Sequence, residues 1–274
     1  MKYRIALSLS YNGAAYYGWQ RQSDLLTVQG CVEQAIYKMS GEHVNVICAG
    51  RTDRGVHALN QVVHFDILKQ REPQVWINGL NAHLPRNIRV NAAEKVTEAF
   101  HARFSAYERH YRYFVLNQRI ASPIFTETVA WYPYELDLMR MQAGARYLIG
   151  EHDFSAFRGA QCQAKSPIRT VLELTIQQKN QLFIFDIKAN AFLHHMVRNI
   201  VGSLFCVGRQ RFASQVIEPE WIQKTLLSKD RTKAGMMAPA QGLYFMEVCY
   251  QEDVQPQGFS SQISTVGNIY EFFG

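Results

Sequence analysis

Cysteine is scarce: five residues, at positions 31, 48, 162, 206 and 249, odd in number and far apart, with no Cys-x-x-Cys pair. That spacing argues against a zinc cluster or a disulfide framework, and for a reducing cytoplasm. Hydrophobic residues make up 47% of the chain, yet no run approaches the ~20 apolar residues that span a bilayer. The opening Met1-Lys2-Tyr3-Arg4-Ile5 passes directly into strand-like alternation, so no signal peptide is expected. Charge of one sign is not extreme either. Lys and Arg number 29 against 23 Asp and Glu, a net charge of +6, which alone selects no partner. The 274 residues suffice for one large domain or two small ones with ample core.

Where the charge sits says more than its sum. Between Phe100 and Arg119 lie Arg103, Arg109, Arg112 and Arg119 against one acid, Glu108. Phe100, Phe104, Tyr107, Tyr111, Tyr113 and Phe114 are interleaved with them. Cations alternating with aromatic faces suit a strand that offers phosphate contacts and stacking surfaces to RNA. Some of these rings must be core, Phe114 first among them.

The second informative stretch is Ala49-Gly50-Arg51-Thr52-Asp53-Arg54-Gly55-Val56-His57-Ala58. It lies between two strand-like runs, Val44–Cys48 and Gln61–Ile67. Gly50 and Gly55 bracket a turn that holds one carboxylate, Asp53, and two guanidiniums, Arg51 and Arg54. A lone Arg-x-Asp is usually a weak surface ion pair, but a strand-end loop on a rigid sheet is also where catalytic groups sit.

Along the chain, Tyr3–Tyr11 carries apolar groups at odd positions, predicting a half-buried strand. Asn12, Gly13 and Gly18 mark a loop carrying Tyr16, Tyr17, Trp19, Gln20, Arg21 and Gln22, a polar-aromatic cluster. Thr27 can cap a helix with the stripe Val28, Cys31, Val32, Ala35, Ile36 and Met39, closed by Gly41. A helix near Pro73–Leu84 and a strand near Ile88–Ala93 complete the order β-α-β-β-α-β. The order then repeats: a strand over Arg109–Asn117, a helix through Leu136, Met139, Ala143 and Tyr147 ended by Gly150, and a strand through Leu172, Leu174 and Ile176. A hairpin turn at Lys179–Gln181 leads into Leu182–Asn190, then an apolar helix Phe192–Val207, a short helix from Pro219 and a strand Leu243–Tyr250. The expected fold is α+β: two pseudo-symmetric ferredoxin-like halves, 1–105 and 106–250, forming a central, mainly antiparallel sheet with a cleft between them. A tail, 251–274, follows.

The string Gly-Arg-Thr-Asp-x-Gly-Val-His-Ala resembles the signature of the pseudouridine synthases, in the branch that modifies the anticodon arm of transfer RNA. Phe100–Ser105, Tyr111-Arg112-Tyr113, Asn190–Gly202 and Gly242-Leu243-Tyr244 match further motifs in family order. The resemblance implies an isomerase that converts uridines at positions 38, 39 and 40 of the anticodon stem-loop, works as a homodimer, and uses Asp53 as its catalytic residue. It implies that Tyr111 lies against the target base, with Arg51, Arg198 and Leu243 binding substrate. The phosphate contacts expected on the RNA are His101, Arg103, Arg119, Lys165 and Arg169. Arg54 departs from the small residue frequent in the family, a local change in charge.

Detaching uracil from C1′ and rejoining it through C5 changes neither bond count nor oxidation state, so no cofactor is expected. The carboxylate can attack C1′, add to the ring or take a sugar proton. It must be ionised, which a nearby guanidinium from Arg51 or Arg198 favours. Arg198 could instead snorkel from its apolar helix to solvent. His194 and His195 might suggest a metal, but neighbours on a helix point to different faces, so none is expected. Two other classes compete. A non-catalytic RNA-binding protein explains the basic-aromatic strand but not the carboxylate. A nuclease or glycosidase needs paired or metal-binding acids, and the next acid after Asp53 is Asp66.

Overall fold

Periodicity and capping chemistry meet first in the helix after the polar-aromatic loop. In the computed structural model, which describes residues 2–209, 216–252, 254, 256 and 259, helix α1 spans Val28–Ser40. Thr27 Oγ1 accepts from Gly30 N, and Gly41 closes the helix at a left-handed φ of 76°. Around it lie β1 (Tyr3–Tyr11), β2 (Ile47–Cys48), β3 (His57–Ile67), α2 (Pro73–His83) and β4 (Ile88–Val96). There follow β5 (Ala106–Asn117), β6 (Ala130–Tyr132), α3 (Leu138–Ala145), β7 (Gly150–Asp153), β8 (Ile168–Lys179) and β9 (Leu182–Ala189). Two helices, α4 (Met196–Gly208) and α5 (Glu220–Ser228), precede β10 (Leu243–Tyr250).

The chain is α+β and its strands pair mainly antiparallel. Packing divides it into two compact units. The first runs to Glu108 and takes in the described residues from Tyr244 onward; the second runs from Arg109 to Leu243. The first unit's strand order is β4-β1-β3-β10, with β2 on β3. Sequence order alone placed the last strand in the second half. Tyr244 and Phe245 instead pair parallel with His57 and Ala58. The second unit's order is β5-β9-β8-β7, with β6 parallel to β5. Its core gathers Tyr113, Phe185 and Phe205 with ring centroids about 6 Å apart, and Phe114 is buried as expected.

Several local expectations are corrected. Strand β1 is covered on both faces, since Ala6 and Ser8 are buried beside Ile5, Leu7 and Leu9. Ser8 Oγ donates to Asn60 Oδ1 at 2.6 Å, which removes the penalty of its burial. The run Val44–Cys48 is a strand only over its last two residues. Glu33 Oε1 accepts from Val46 N and Gln29 Nε2 donates to Val46 O, so side chains replace a ladder there. Helix α3 is phased one step from the predicted stripe: Met139 is 69% exposed while Met141 is fully buried. Leu172 is exposed, because a register shift between Val171 and Glu173 reverses which side chains of β8 face inward.

The largest correction concerns the apolar helix. It begins at Met196, with His195 ahead of it at a left-handed φ of 63°. His194 and His195 therefore do not lie on a helix, and their rings stack 3.7 Å apart. The helical-face reason for expecting no metal falls with that. The tail from 260 onward lies outside the described residues.

Candidate active site

The loop from Ala49 to Val56 is held from beneath at several points. Ala49 N donates to Val62 O, and the fully buried Gln61 donates Nε2 to Gly50 O at 2.6 Å. Thr52 is buried, with its hydroxyl 2.8 Å from Tyr11 Oη, and its carbonyl accepts from Trp19 N. Burial raises the Tyr11 phenol well above its usual range, so it stays a neutral hydrogen-bonding partner. Val56 N closes the turn onto Asp53 O, with Gly55 at a φ of 78°. Asp53 thus sits partly exposed on a strand-end loop, its carbonyl and both flanking segments held by hydrogen bonds. Arg51 and Arg54 on either side are exposed, and the Arg54 guanidinium lies 4.3 Å from the Tyr17 ring centroid.

Two glycines, Gly13 and Gly18, let other chain segments approach this loop. A Cβ on Gly13 would sit 1.9 Å from Val56 O, and Gly13 N donates to His57 Nδ1. The His57 ring in turn stacks on Tyr244 at 4.6 Å. Gly13→Ala must push the loop backbone away, and we expect it to destabilise the protein by about 2 kcal/mol. A urea midpoint unchanged from wild type would contradict that.

In the second unit, Tyr111 lies on β5, 7% exposed, its ring edge-on to Phe192 at 4.9 Å. Arg198 does not snorkel: it is 9% exposed and donates Nε to Ala238 O at 2.8 Å, while Ala238 N donates to Arg198 O. Leu243 is buried at the start of β10. Arg119 and Lys165 are exposed on turns. Arg169 is half-buried, and one nitrogen of its guanidinium donates to the Ser166 and Ile168 carbonyls. It shapes the loop that presents Lys165.

His101 and Arg103 share a turn of the first unit. His101 Nδ1 accepts from Arg103 N and Phe104 N, and its ring stacks on Phe104 at 4.4 Å. Phe104 is 75% exposed, with the Arg103 guanidinium 5.4 Å from its ring centroid. Beneath, His64 Nδ1 accepts from Ala102 N. Arg4 grips Asp66 with two bonds of 2.8 and 2.9 Å and donates to the Glu98 and Phe100 carbonyls. Asp66 is thus a structural acid, which weakens the two-carboxylate reading. Burial, helped by the charges of His101 and Arg4, lowers His64 from 6.5 to about 4. An imidazole that titrates lower when folded takes up a proton on unfolding. Its contribution is therefore intact above pH 6.5 and is lost as pH falls toward 4. Thermal unfolding followed against pH checks this, with His64→Gln giving a flatter profile; identical profiles would contradict it.

With this geometry in place, comparison with known proteins is decisive. The tRNA pseudouridine synthase family matches residues 8–105 and 145–251. The chain belongs to the tRNA pseudouridine synthase family. It is therefore an isomerase. Among relatives named tRNA pseudouridine synthase A, one from Colwellia psychrerythraea is 46% identical over 97% of this chain and 99% of its own. One from Idiomarina loihiensis is 49% identical over 91% of this chain and 94% of its own. A Vibrio cholerae relative is 48% identical over 90% and 92%. The family match includes the Asp53 loop, the His101–Phe104 turn, Arg198 and Leu243, whereas Tyr111 and Arg119 fall between its two segments.

Sequence reasoning missed three arrangements in this pseudouridine synthase. Gln61 as the brace of Gly50 read only as a polar residue in a strand. His64, beneath the turn of His101 and Arg103, carried no spacing signal. On β5, His110 Nε2 and Arg112 Nε both reach Asp186 Oδ1, at 2.6 and 2.7 Å. Burial works against the charged Asp186, but these hydrogen bonds outweigh it and hold the carboxyl below its usual range.

Proposed function

We propose that the chain isomerises uridines of the transfer-RNA anticodon stem-loop to pseudouridine, with Asp53 as the catalytic carboxylate. The observation that carries this reading is a partly exposed carboxylate on a loop whose neighbours are tied down by Gln61, Tyr11 and Trp19. A group so held loses little freedom when it reacts. Arg51 and Arg198 supply positive charge that keeps the carboxylate ionised as it is desolvated. A stacked uridine is unreachable, so the target is flipped out at a cost of a few kcal/mol. Tyr111 offers the flipped ring a stacking face, with Leu243 as an apolar neighbour. Arg51 fills the place the base has left. His101 fixes the turn that carries Arg103, and Arg103, Arg119 and Lys165 engage phosphates, with Arg169 behind Lys165.

The reaction breaks the bond from C1′ to the ring nitrogen and forms one to C5, releasing the C5 hydrogen to water while the freed ring nitrogen takes up a proton. No cofactor enters that balance. The enzyme is read as a cytoplasmic homodimer. Transfer RNA tritiated at C5 of uracil tests the chemistry directly. The purified protein, with no cofactor added and EDTA present, should release label into water. Full retention of label would refute the isomerase assignment, and EDTA-dependent activity would revive a metal-using reading. Affinity for transfer RNA should also fall linearly with salt on logarithmic axes, as phosphate contacts release counterions. A flat response would exclude the phosphate contacts named above.

A further inference from the structure

We propose that a cavity beside the Asp53 loop receives one nucleotide of the substrate RNA other than the uridine being isomerised, held through its phosphate and base edge. The inference rests on the pseudouridine synthase reading and extends it to a second nucleotide. The cavity measures about 240 Å³ and belongs wholly to the first unit. Its lining includes Gln20, Arg21, Gln29, Asn45 and Arg51 beside the buried Trp19. Two of its lining residues are arginines, Arg21 and Arg51, and the Glu33 carboxylate beneath Arg21 offsets only one of those charges, so the net positive charge suits an anionic ligand. It is the polar-aromatic loop of the sequence, brought up against the reactive loop through Arg51.

The floor is built rather than incidental. The buried Gln29 accepts from Arg21 N at 2.9 Å and donates to Glu33 Oε1 at 2.9 Å and to Val46 O. The buried Glu33 accepts from the Arg21 guanidinium at 2.6 Å, yet the Arg21 side chain stays 61% exposed. Arg21 is thus anchored from below and presented above, so a phosphate meets a preformed cation. Trp19 is only 2% exposed, so its indole offers no free face for stacking. Recognition falls instead to the amides of Gln20 and Asn45, donors and acceptors that match the edge of an unpaired base. The volume suits one splayed nucleotide and no duplex.

The test fills the cavity without substituting any residue of the Asp53 loop. Asn45 is exposed at the cavity wall, so Asn45→Trp occupies the space from outside the folded core. kcat/KM is measured on intact transfer RNA and on a set of RNAs each lacking one base near the target uridine. Wild type should lose about tenfold at one such position, the size of one good base-edge contact. Asn45→Trp should be lower by about the same factor on intact RNA and indifferent to that position. Arg21→Gln should reduce the slope of log affinity against log salt by about one. Asn45→Trp with wild-type kcat/KM, or every abasic position affecting both proteins alike, would overturn the proposal. Equilibrium binding of the same RNAs to Asp53→Asn keeps the two readings apart. A position-specific loss of affinity there supports the pocket even if wild-type protein isomerises nothing, and its absence sinks the pocket even if turnover is normal.

Discussion

Asp53→Asn should lower the rate of pseudouridine formation by at least about 10⁴-fold, the scale on which removal of a central catalytic group acts. Its fold should be nearly unchanged. The constraints on the loop run through backbone groups and neighbours: Gln61 on Gly50, Tyr11 on Thr52, Trp19 on the Thr52 carbonyl. The asparagine amide has the size and shape of the carboxylate, so it can occupy the same place. Affinity for transfer RNA should survive, which separates this account from a binding protein that never turns over. A single-turnover assay beside a thermal unfolding curve measures both quantities. Normal rates in the variant would refute the assigned role, whereas a collapsed unfolding transition would make Asp53 a structural residue.

The second large effect is expected at Tyr111. Stacking of a base on an aromatic side chain is worth roughly 1–3 kcal/mol, so Tyr111→Leu should lose about 10- to 100-fold in kcat/KM. Tyr111→Phe should lose much less if the ring face is what the uracil meets. The edge-on contact with Phe192 holds the ring through its carbon framework, and phenylalanine keeps that contact. Equal losses in the two variants would contradict a stacking role and point to the hydroxyl.

How much of this was legible beforehand follows from what each signal depends on. Helix α1 was readable to its ends because its cap, stripe and terminal glycine are all local. The turn at Asn180, with a φ of 52°, was readable for the same reason. The misplaced features depend on partners distant in sequence. Val46 looks like strand, but its backbone is claimed by Gln29 and Glu33. The apolar stretch after Phe192 looks like one long helix, but His195 adopts a left-handed conformation that stops it at Met196. Periodicity carries no trace of that. At the site, Asp53 was visible through its motif, while the brace from Gln61 and the anchoring of Arg198 to Ala238 exist only once the chain is folded.

The central claim is that one carboxylate converts uridines of a single RNA region without help from a cofactor. The direct measurement is incubation of the protein with unmodified transfer RNA, followed by mapping of pseudouridine at every nucleotide. The account predicts conversion confined to neighbouring uridines of the anticodon arm, absent when Asp53→Asn replaces the wild type. Pseudouridine elsewhere in the molecule, or an unaltered map with the variant, would contradict it.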